Sequence, residues 1–329
     1  MNELKEDVEI AVIVPCFNEA MSIAKVTRDF YEALPGATVY VYDNNSTDGS
    51  AEIARKAGAV VRREPRQGKG VVVRRMFADI EADLFVMVDG DDTYEAAAGP
   101  RMVRRMLEEG LDMVNGVRVP VSGGVYRPGH EFGNRMLSSI VRFLFGRGNR
   151  DMLSGYRVFS RRFVKSFPAM STGFEIETEL TIHALELQMP SAEETTIFTD
   201  RVEGSESKLH SISDGFRILF TIIRLLKQEK PVGFFGALSL AFAAISLSFA
   251  YPIVIEFYQT GLVPRLPTAV LSASTMLLAC LSLVCGLILD TVTRGRQEAK
   301  RMRYLAVPGV LNIGRRASGR QVSSRSVSP

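Results

Sequence analysis

Asp89-Gly90-Asp91-Asp92 follows the apolar run Leu84 to Val88 without a break. Carboxylates crowded at a strand end repel one another, and open α/β sheets bind their ligands at that carboxyl edge. A divalent cation answers both facts, because Mg2+ or Mn2+ takes one or two carboxylates and completes its shell with phosphate oxygens. An acidic turn or an adventitious Ca2+ site would use the same residues. A second polar cluster, Asp43-Asn44-Asn45-Ser46 with Asp48, closes the neighbouring apolar run; alone, such residues form turns for backbone reasons. Basic side chains that could meet an anion are Arg118, Arg135, Arg157, Arg201 and Lys208, and each type is equally at home on ordinary surface. Glu175 and Glu179 are spaced to share a helix face, whereas Glu175 and Glu177 are not. His130 and His183 are the candidate bases. His183 falls in a helical run with Leu180, Leu185 and Leu187, which suits a structural or surface histidine.

Two phosphate-binding motifs fail on inspection. In a G-x-x-x-x-G-K reading of Gly68-Lys69-Gly70 the first glycine falls on Arg63 and the closing Ser/Thr on Gly70. No G-x-G-x-x-G follows a strand. Dehydrogenase and P-loop readings are therefore set aside.

The elements that must position these residues alternate strand and helix, as in an α/β domain. Strands are expected at 8–14, 38–42, near Val60, at 84–88 and at 113–118. Helices follow to about Leu34, to Gly58, to Ile80 and from Pro100 to Glu109. The turn 43–49 supplies the N-cap of the second helix. Beyond it, 130–145 and 174–187 have helical spacing, and 154–159 has strand composition. At 212–227, Ile212, Phe216, Leu219, Ile223 and Leu226 recur at three and four residues, which predicts an interfacial amphipathic helix or a core-facing one.

Pro231 to Ile255 and Leu266 to Leu289 contain no charged residue, and each reaches the roughly 20 residues that cross a bilayer core. The 329-residue chain has a formal net charge of +3. That charge belongs to the end, since residues 291–329 hold nine Arg/Lys against one Glu. A basic tail beside an apolar helix fits anionic headgroups, and without aromatic interleaving it gives no nucleic-acid pattern. Three cysteines, two of them inside an apolar run, imply a reduced, cytosol-facing protein. Glu3, Lys5, Glu6 and Asp7 do not form a signal-peptide layout.

Val12-Ile13-Val14-Pro15-Cys16-Phe17-Asn18-Glu19, Val41 to Asp48 and Val88-Asp89-Gly90-Asp91-Asp92 resemble, in order and spacing, the inverting family 2 glycosyltransferases. Asp151 to Arg157, Gly173 to Glu179 and Gly204 to Leu209 resemble the polyprenyl-phosphate branch, similar to dolichol-phosphate-mannose synthase and its two-span bacterial relatives. The resemblance covers about residues 8–290. It implies an A-type (Rossmann-like) α/β domain over 1–210, followed by the juxtamembrane helix over 211–230 and two transmembrane helices within 231–290; the basic tail at 291–329 lies outside the resemblance and is expected to be cytosolic from its charge. It implies inverting transfer of a sugar from a nucleotide sugar to polyprenyl phosphate at the cytosolic face of the inner membrane. Both chain ends would be cytosolic, and the two-span relatives suggest a homotetramer.

Residue by residue, the resemblance implies that Pro15, Phe17 and Glu19 flank the nucleotide and that Asp43 faces its base. It puts Asp89 and Asp91 in the metal–diphosphate site with Mg2+ or Mn2+, and Asp92 nearby. Where the family often pairs aspartates, this chain has Asp43-Asn44, which leaves position 44 without an assigned role. Arg118, Arg135 and Arg201 fall in acceptor-side segments, and Asp151 would orient an arginine or the sugar, or cap a turn. A processive polysaccharide synthase shares the metal motif but stacks sugar on tryptophan, and this chain has no tryptophan. A non-catalytic membrane scaffold is the alternative from another class. UDP-hexose, UDP-uronic acid and GDP-mannose are all open as donors.

Overall fold

The computed structural model describes residues 8–120, 151–173, 175–200, 220, 223–224, 226–227 and 229–312. The chain divides into two compact units, Met1–Leu219 with Lys300–Pro329, and Phe220–Ala299.

The first unit is an α/β sandwich. Its elements are β1 (Ile10–Cys16), α1 (Ile23–Ala33), β2 (Thr38–Asp43), α2 (Ser50–Lys56), β3 (Val60–Arg63), α3 (Lys69–Asp79), β4 (Leu84–Met87), α4 (Ala98–Glu109), β5 (Met113–Pro120), β6 (Arg157–Ser160), α5 (Arg161–Ser166), α6 (Ile176–Glu186) and β7 (Ser191–Phe198). Seven strands form one sheet in the order β3-β2-β1-β4-β6-β5-β7. All neighbours are parallel except β6, which runs against both β4 and β5.

The central strands are apolar on both faces because helices cover both. Val12, Val14, Val39, Val41, Val86 and Val158 pack with α1 and α4 on one side. Ala11, Ile13, Phe85, Met87 and Phe159 pack with α3, α5 and α6 on the other. The period-2 alternation along a strand makes this division. Register aligns Cys16 with Asp43, Asp43 with Arg63, and Met87 with Arg157, so the segments that follow β1, β2 and β4 meet at one sheet edge.

At α2 the structure departs from the expected side-chain cap. The N-cap is Gly49 in a left-handed conformation (φ 86°), and the Asp48 carboxylate instead accepts from the Ser50 backbone N–H at 3.0 Å. The sequence reading also omits α5 and β7.

Residues 300–312, within the segment read as a basic tail, pack into the first unit. Tyr304 lies against the α3/α6 core, and Val310 is buried in the α1/α4 core. The Tyr304 hydroxyl donates to Asp112 Oδ2 at 2.6 Å, and Lys300 Nζ pairs with Glu186 at 2.6 Å.

The second unit holds α7 (Pro231–Thr260) and the apolar part of α8 (Leu266–Ala306). Both are long and apolar enough to cross a membrane. Their large side chains, among them Leu240, Leu247, Leu277 and Leu281, are exposed. Ser246 and Ser272 join the two helices, each hydroxyl donating to the other's carbonyl at 2.8 and 2.9 Å. Only scattered positions of the expected amphipathic helix at 212–227 fall within the described residues.

Candidate active site

Asp89 leaves β4 and meets a buried cation. Lys69 Nζ lies 2.5 Å from Asp89 Oδ1 and 2.5 Å from Glu177 Oε1. Burial works against the charged form of Lys69, but Asp89 and Glu177 outweigh it and the pKa is raised. One ammonium cannot fully serve two carboxylates, and burial raises the pKa of Glu177. The glycines beside Lys69 have a steric cause. A Cβ on Gly68 or Gly70 would run into the carbonyl oxygens of Thr172 and Ser171, and the Glu179 carboxylate holds that segment by accepting from the N–H groups of Met170 and Ser171 at 2.9 and 2.8 Å. On the other side of Asp89, a Cβ on Gly155 would strike the carboxylate itself.

Asp91 is 5% exposed and accepts from Thr93 Oγ1 at 2.7 Å. Asp92 has φ 58° and pairs with Lys25 at 2.9 Å, which commits its carboxylate to α1.

Asp43 and Asn44 do different work. Asp43 Oδ1 accepts from Ser46 N–H at 3.3 Å. Asn44 Nδ2 donates to the carbonyls of Glu64 and Arg66 at 2.9 and 2.8 Å, while its Oδ1 accepts from Gly68 N–H at 2.8 Å. A second aspartate could not make the two donations. Asn44 thus ties the loop after β3 to the edge and sets the approach to Lys69. The β1 side of the edge is fixed likewise: Glu19 N–H donates to Ser50 Oγ at 2.8 Å and Asn18 N–H to Ser46 Oγ at 2.9 Å. Pro15 pairs with Tyr42 in the sheet, and Phe17 is half-buried just beyond the strand.

Arg118, near the end of β5, forms a bidentate pair with Asp151, Nε to Oδ2 at 2.6 Å and Nη2 to Oδ1 at 2.8 Å. Its guanidinium also lies 5.3 Å from the centre of the Phe198 ring. Arg157 is wholly buried and donates to the carbonyls of Ser154 and Met152 and to Thr181 Oγ1; burial lowers its pKa to about 10. It is an internal brace for segment 151–156, with no surface to offer an anion. Tyr94 braces the same segment, its hydroxyl accepting from Gly155 N–H at 2.9 Å. Arg135, Arg201, Lys208 and His130 lie outside the described residues. His183 is buried between Phe163 and Phe167 with Nε2 3.1 Å from Ser166 Oγ. Burial, with Lys300 adding to it, holds its pKa down to about 3, as for an internal neutral histidine.

Lys69 and Glu177 are the members of the cluster that sequence reasoning left unassigned. The available signal was the glycine on each side of Lys69 at a helix start. Among the described residues no three His, Cys, Asp or Glu side chains converge as a metal cage. Two carboxylates at a strand end have the chemistry for a cation that completes its shell with other ligands, as Mg2+ does with phosphates.

The glycosyl transferase family 2 profile matches residues 11–167. Glycosyltransferase AglJ of Haloferax volcanii is 33% identical over 299 residues, which is 90% of this chain and 98% of that protein. The chain belongs to glycosyl transferase family 2. An uncharacterized protein of Shigella flexneri is 55% identical over 155 residues, 47% of this chain and 95% of its own length. The dolichyl-phosphate hexose transferase of Haloferax volcanii is 27% identical over 223 residues, 68% of this chain and 96% of its own length. Among solved structures, glucosyl-3-phosphoglycerate synthase from Mycobacterium tuberculosis, in complex with Mn2+, UDP and glucosyl-3-phosphoglycerate, superposes with a TM-score of 0.55 at 22% identity, covering 66% of this chain and 79% of that one. That likeness shows the A-type glycosyltransferase fold. In this family 2 glycosyltransferase, Asp43, Asp89, Asp91, Arg118 and Asp151 all stand at or beside the carboxyl edge.

Proposed function

We propose that this glycosyltransferase moves a sugar from a nucleoside-diphosphate donor to a polyprenyl phosphate, with inversion, giving a polyprenyl-phosphate monosaccharide at the cytosolic membrane face. The observation that carries the reading is the union, in one chain, of the carboxylate edge and two helices long and apolar enough to cross a membrane. The name of the dolichyl-phosphate hexose transferase relative supports the same acceptor class.

The chemistry needs little from a base. A lipid monophosphate near neutral pH carries about −1.5 to −2 charges, so one of its oxygens attacks the anomeric carbon directly. The bond from that carbon to the donor's diphosphate oxygen breaks, and the nucleoside diphosphate leaves with the electron pair. Positioning and charge cancellation are the remaining tasks. Asp43 takes the base side of the donor, with Pro15, Phe17 and Glu19 flanking it. Asp89 and Asp91 would hold Mg2+ or Mn2+, which supplies charge neutralisation on the leaving diphosphate. Asp151 fixes the guanidinium of Arg118 by its bidentate contact, and Arg118 with Arg135 and Arg201 meets the acceptor phosphate. The basic residues before α7 and after its partner span, against a single arginine between them, orient both spans with the catalytic domain in the cytosol.

Membranes containing the protein are incubated with radiolabelled nucleotide sugars, and the organic extract is counted. Label in an acid-labile lipid fraction, lost in Asp91→Asn and in excess chelator, is the expected result. Label in water-soluble product alone, or full transfer by Asp91→Asn, overturns the reading.

A further inference from the structure

We propose that Lys69 makes metal binding conditional on the donor diphosphate, its ammonium holding the cation position beside Asp89 until a nucleotide arrives. The inference rests on the reading of Asp89 and Asp91 as metal ligands. Lys69 has its side chain 10% exposed and meets Asp89 and Glu177 with equal contacts of 2.5 Å. A dication approaching Asp89 alone must settle beside that buried ammonium, and like charges at such range are strongly repulsive where water is scarce. A diphosphate changes the balance by adding its own negative oxygens. Asp89 then turns to the metal, and Lys69 stays with Glu177.

Two further observations fit this exchange. Glu177 Oε2 is buried and has no hydrogen-bond partner among the described residues, so Glu177 has spare acceptor capacity for the ammonium when Asp89 leaves it. No set of three acidic, histidine or cysteine side chains among the described residues offers a metal an alternative cage. The lysine therefore acts as a positioning residue, working on the metal through Asp89. Its consequence is an order of events in which metal and nucleotide enter together and leave together, so that the carboxylate edge does not collect free metal between turnovers.

The test is Mn2+ binding to the detergent-purified full chain at pH 8, with free Mn2+ read by electron paramagnetic resonance, alone and with UDP or GDP. Wild type should bind Mn2+ weakly alone and more tightly with the matching nucleotide. Lys69→Met removes the competing charge and should bind Mn2+ alone about tenfold tighter than wild type, with the nucleotide effect reduced. Glu177→Gln leaves the ammonium to Asp89 and should bind Mn2+ alone more weakly than wild type. Unchanged or weaker nucleotide-free affinity in folded Lys69→Met overturns the proposal. Should that variant not fold, wild-type or tighter affinity in Glu177→Gln overturns it instead. The underlying metal reading has its own control: Asp89→Asn/Asp91→Asn must lose Mn2+ with nucleotide present, and retention there places the metal elsewhere.

Discussion

Asp112 is fully buried, and four donations converge on it: Ser160 Oγ at 2.6 Å, Arg162 Nε and Nη2 at 2.5 and 2.7 Å, and the Tyr304 hydroxyl at 2.6 Å. Tyr304 is the donor that comes from the far end of the chain, and its ring also lies 4.6 Å from the Arg162 guanidinium. Removing only the hydroxyl, in Tyr304→Phe, deletes one hydrogen bond to a charged acceptor, a class worth about 1.5–3 kcal/mol. Asp112 keeps three donors and the ring keeps its place over Arg162, so the lower end applies. For a domain of this size about 1.5 kcal/mol lowers the melting temperature by roughly 3–6 °C. Tyr304→Ala also removes the ring packing and the cation–π contact and should cost about 3 kcal/mol, or roughly twice the shift. Leu305, exposed on the next position, is the control, and Leu305→Ala should stay within about 0.5 kcal/mol of wild type. Pulse proteolysis of the purified full chain across a temperature series, with fragments of the catalytic domain followed on a gel, gives the measurement. Wild-type stability in Tyr304→Ala would show that the segment after the two apolar helices contributes nothing to the domain, and the accounting around Asp112 would be wrong.

On the metal role proposed for Asp89, Gly155→Ala should cut transfer by roughly a hundredfold with the melting temperature little changed, because its Cβ displaces that carboxylate and misplacement at a reacting site carries penalties of that order; initial rates and thermal melts on the same preparation decide it. His183, held to about 3 against an ordinary 6.5, stays neutral in the fold while the unfolded chain takes up a proton below about pH 6.5. Stability should therefore fall as pH drops from 6.5 toward 3, and His183→Asn should flatten that part of a stability–pH curve measured by denaturant midpoints. A cysteine at Thr260, in a chain with Cys280 and Cys285 replaced by alanine, should react with an impermeant maleimide only from the non-cytosolic side; labelling from the cytosolic side alone reverses the topology.

The apolar runs that became β1, β2 and β4 were legible because buried parallel strands are nearly continuous in Val, Ile, Leu and Phe. β7 was not, for the opposite reason. Ser191–Phe198 lies at the sheet edge beside β5, with only an isolated bridge from Phe198 to Tyr94 on its other side among the described residues, and an edge strand with Glu193 and Glu194 in it has the composition of a loop. α5, at six residues, is too short to display a period. The spacing of Glu175, Glu177 and Glu179 did carry information. Glu175 accepts from Gly173 N–H and Glu179 from Met170 and Ser171, all just upstream, while Glu177 reaches Lys69. What local spacing could not supply is the partner, since Lys69 and Glu177 are far apart in sequence and the pairing exists only once α3 and α6 lie on the same face of the sheet. Arg157 was misread for a related reason. A lone arginine in sequence looks like surface, and only the packing of segment 151–156 around it reveals a buried brace.

The reversal of β6 explains why the candidate residues come from such scattered places. In a wholly parallel sheet every loop at the carboxyl edge follows a strand, as the segments after β1, β2 and β4 do here. β6 runs antiparallel between β4 and β5, so the segment that precedes it, 151–156, reaches the same edge as the segment that follows β4. Asp151 is thereby brought to Arg118 at the end of β5, and Gly155 to Asp89 at the end of β4. One inverted strand thus places the carboxylate that pairs with Arg118 and the backbone packed closely against Asp89 on a single seven-residue stretch, Asp151 to Arg157. Arg157, buried and bonded to the carbonyls of Met152 and Ser154, keeps that stretch in one conformation. Displacing it should therefore disturb Arg118 and Asp89 together, although the two stand at the ends of different strands, β5 and β4.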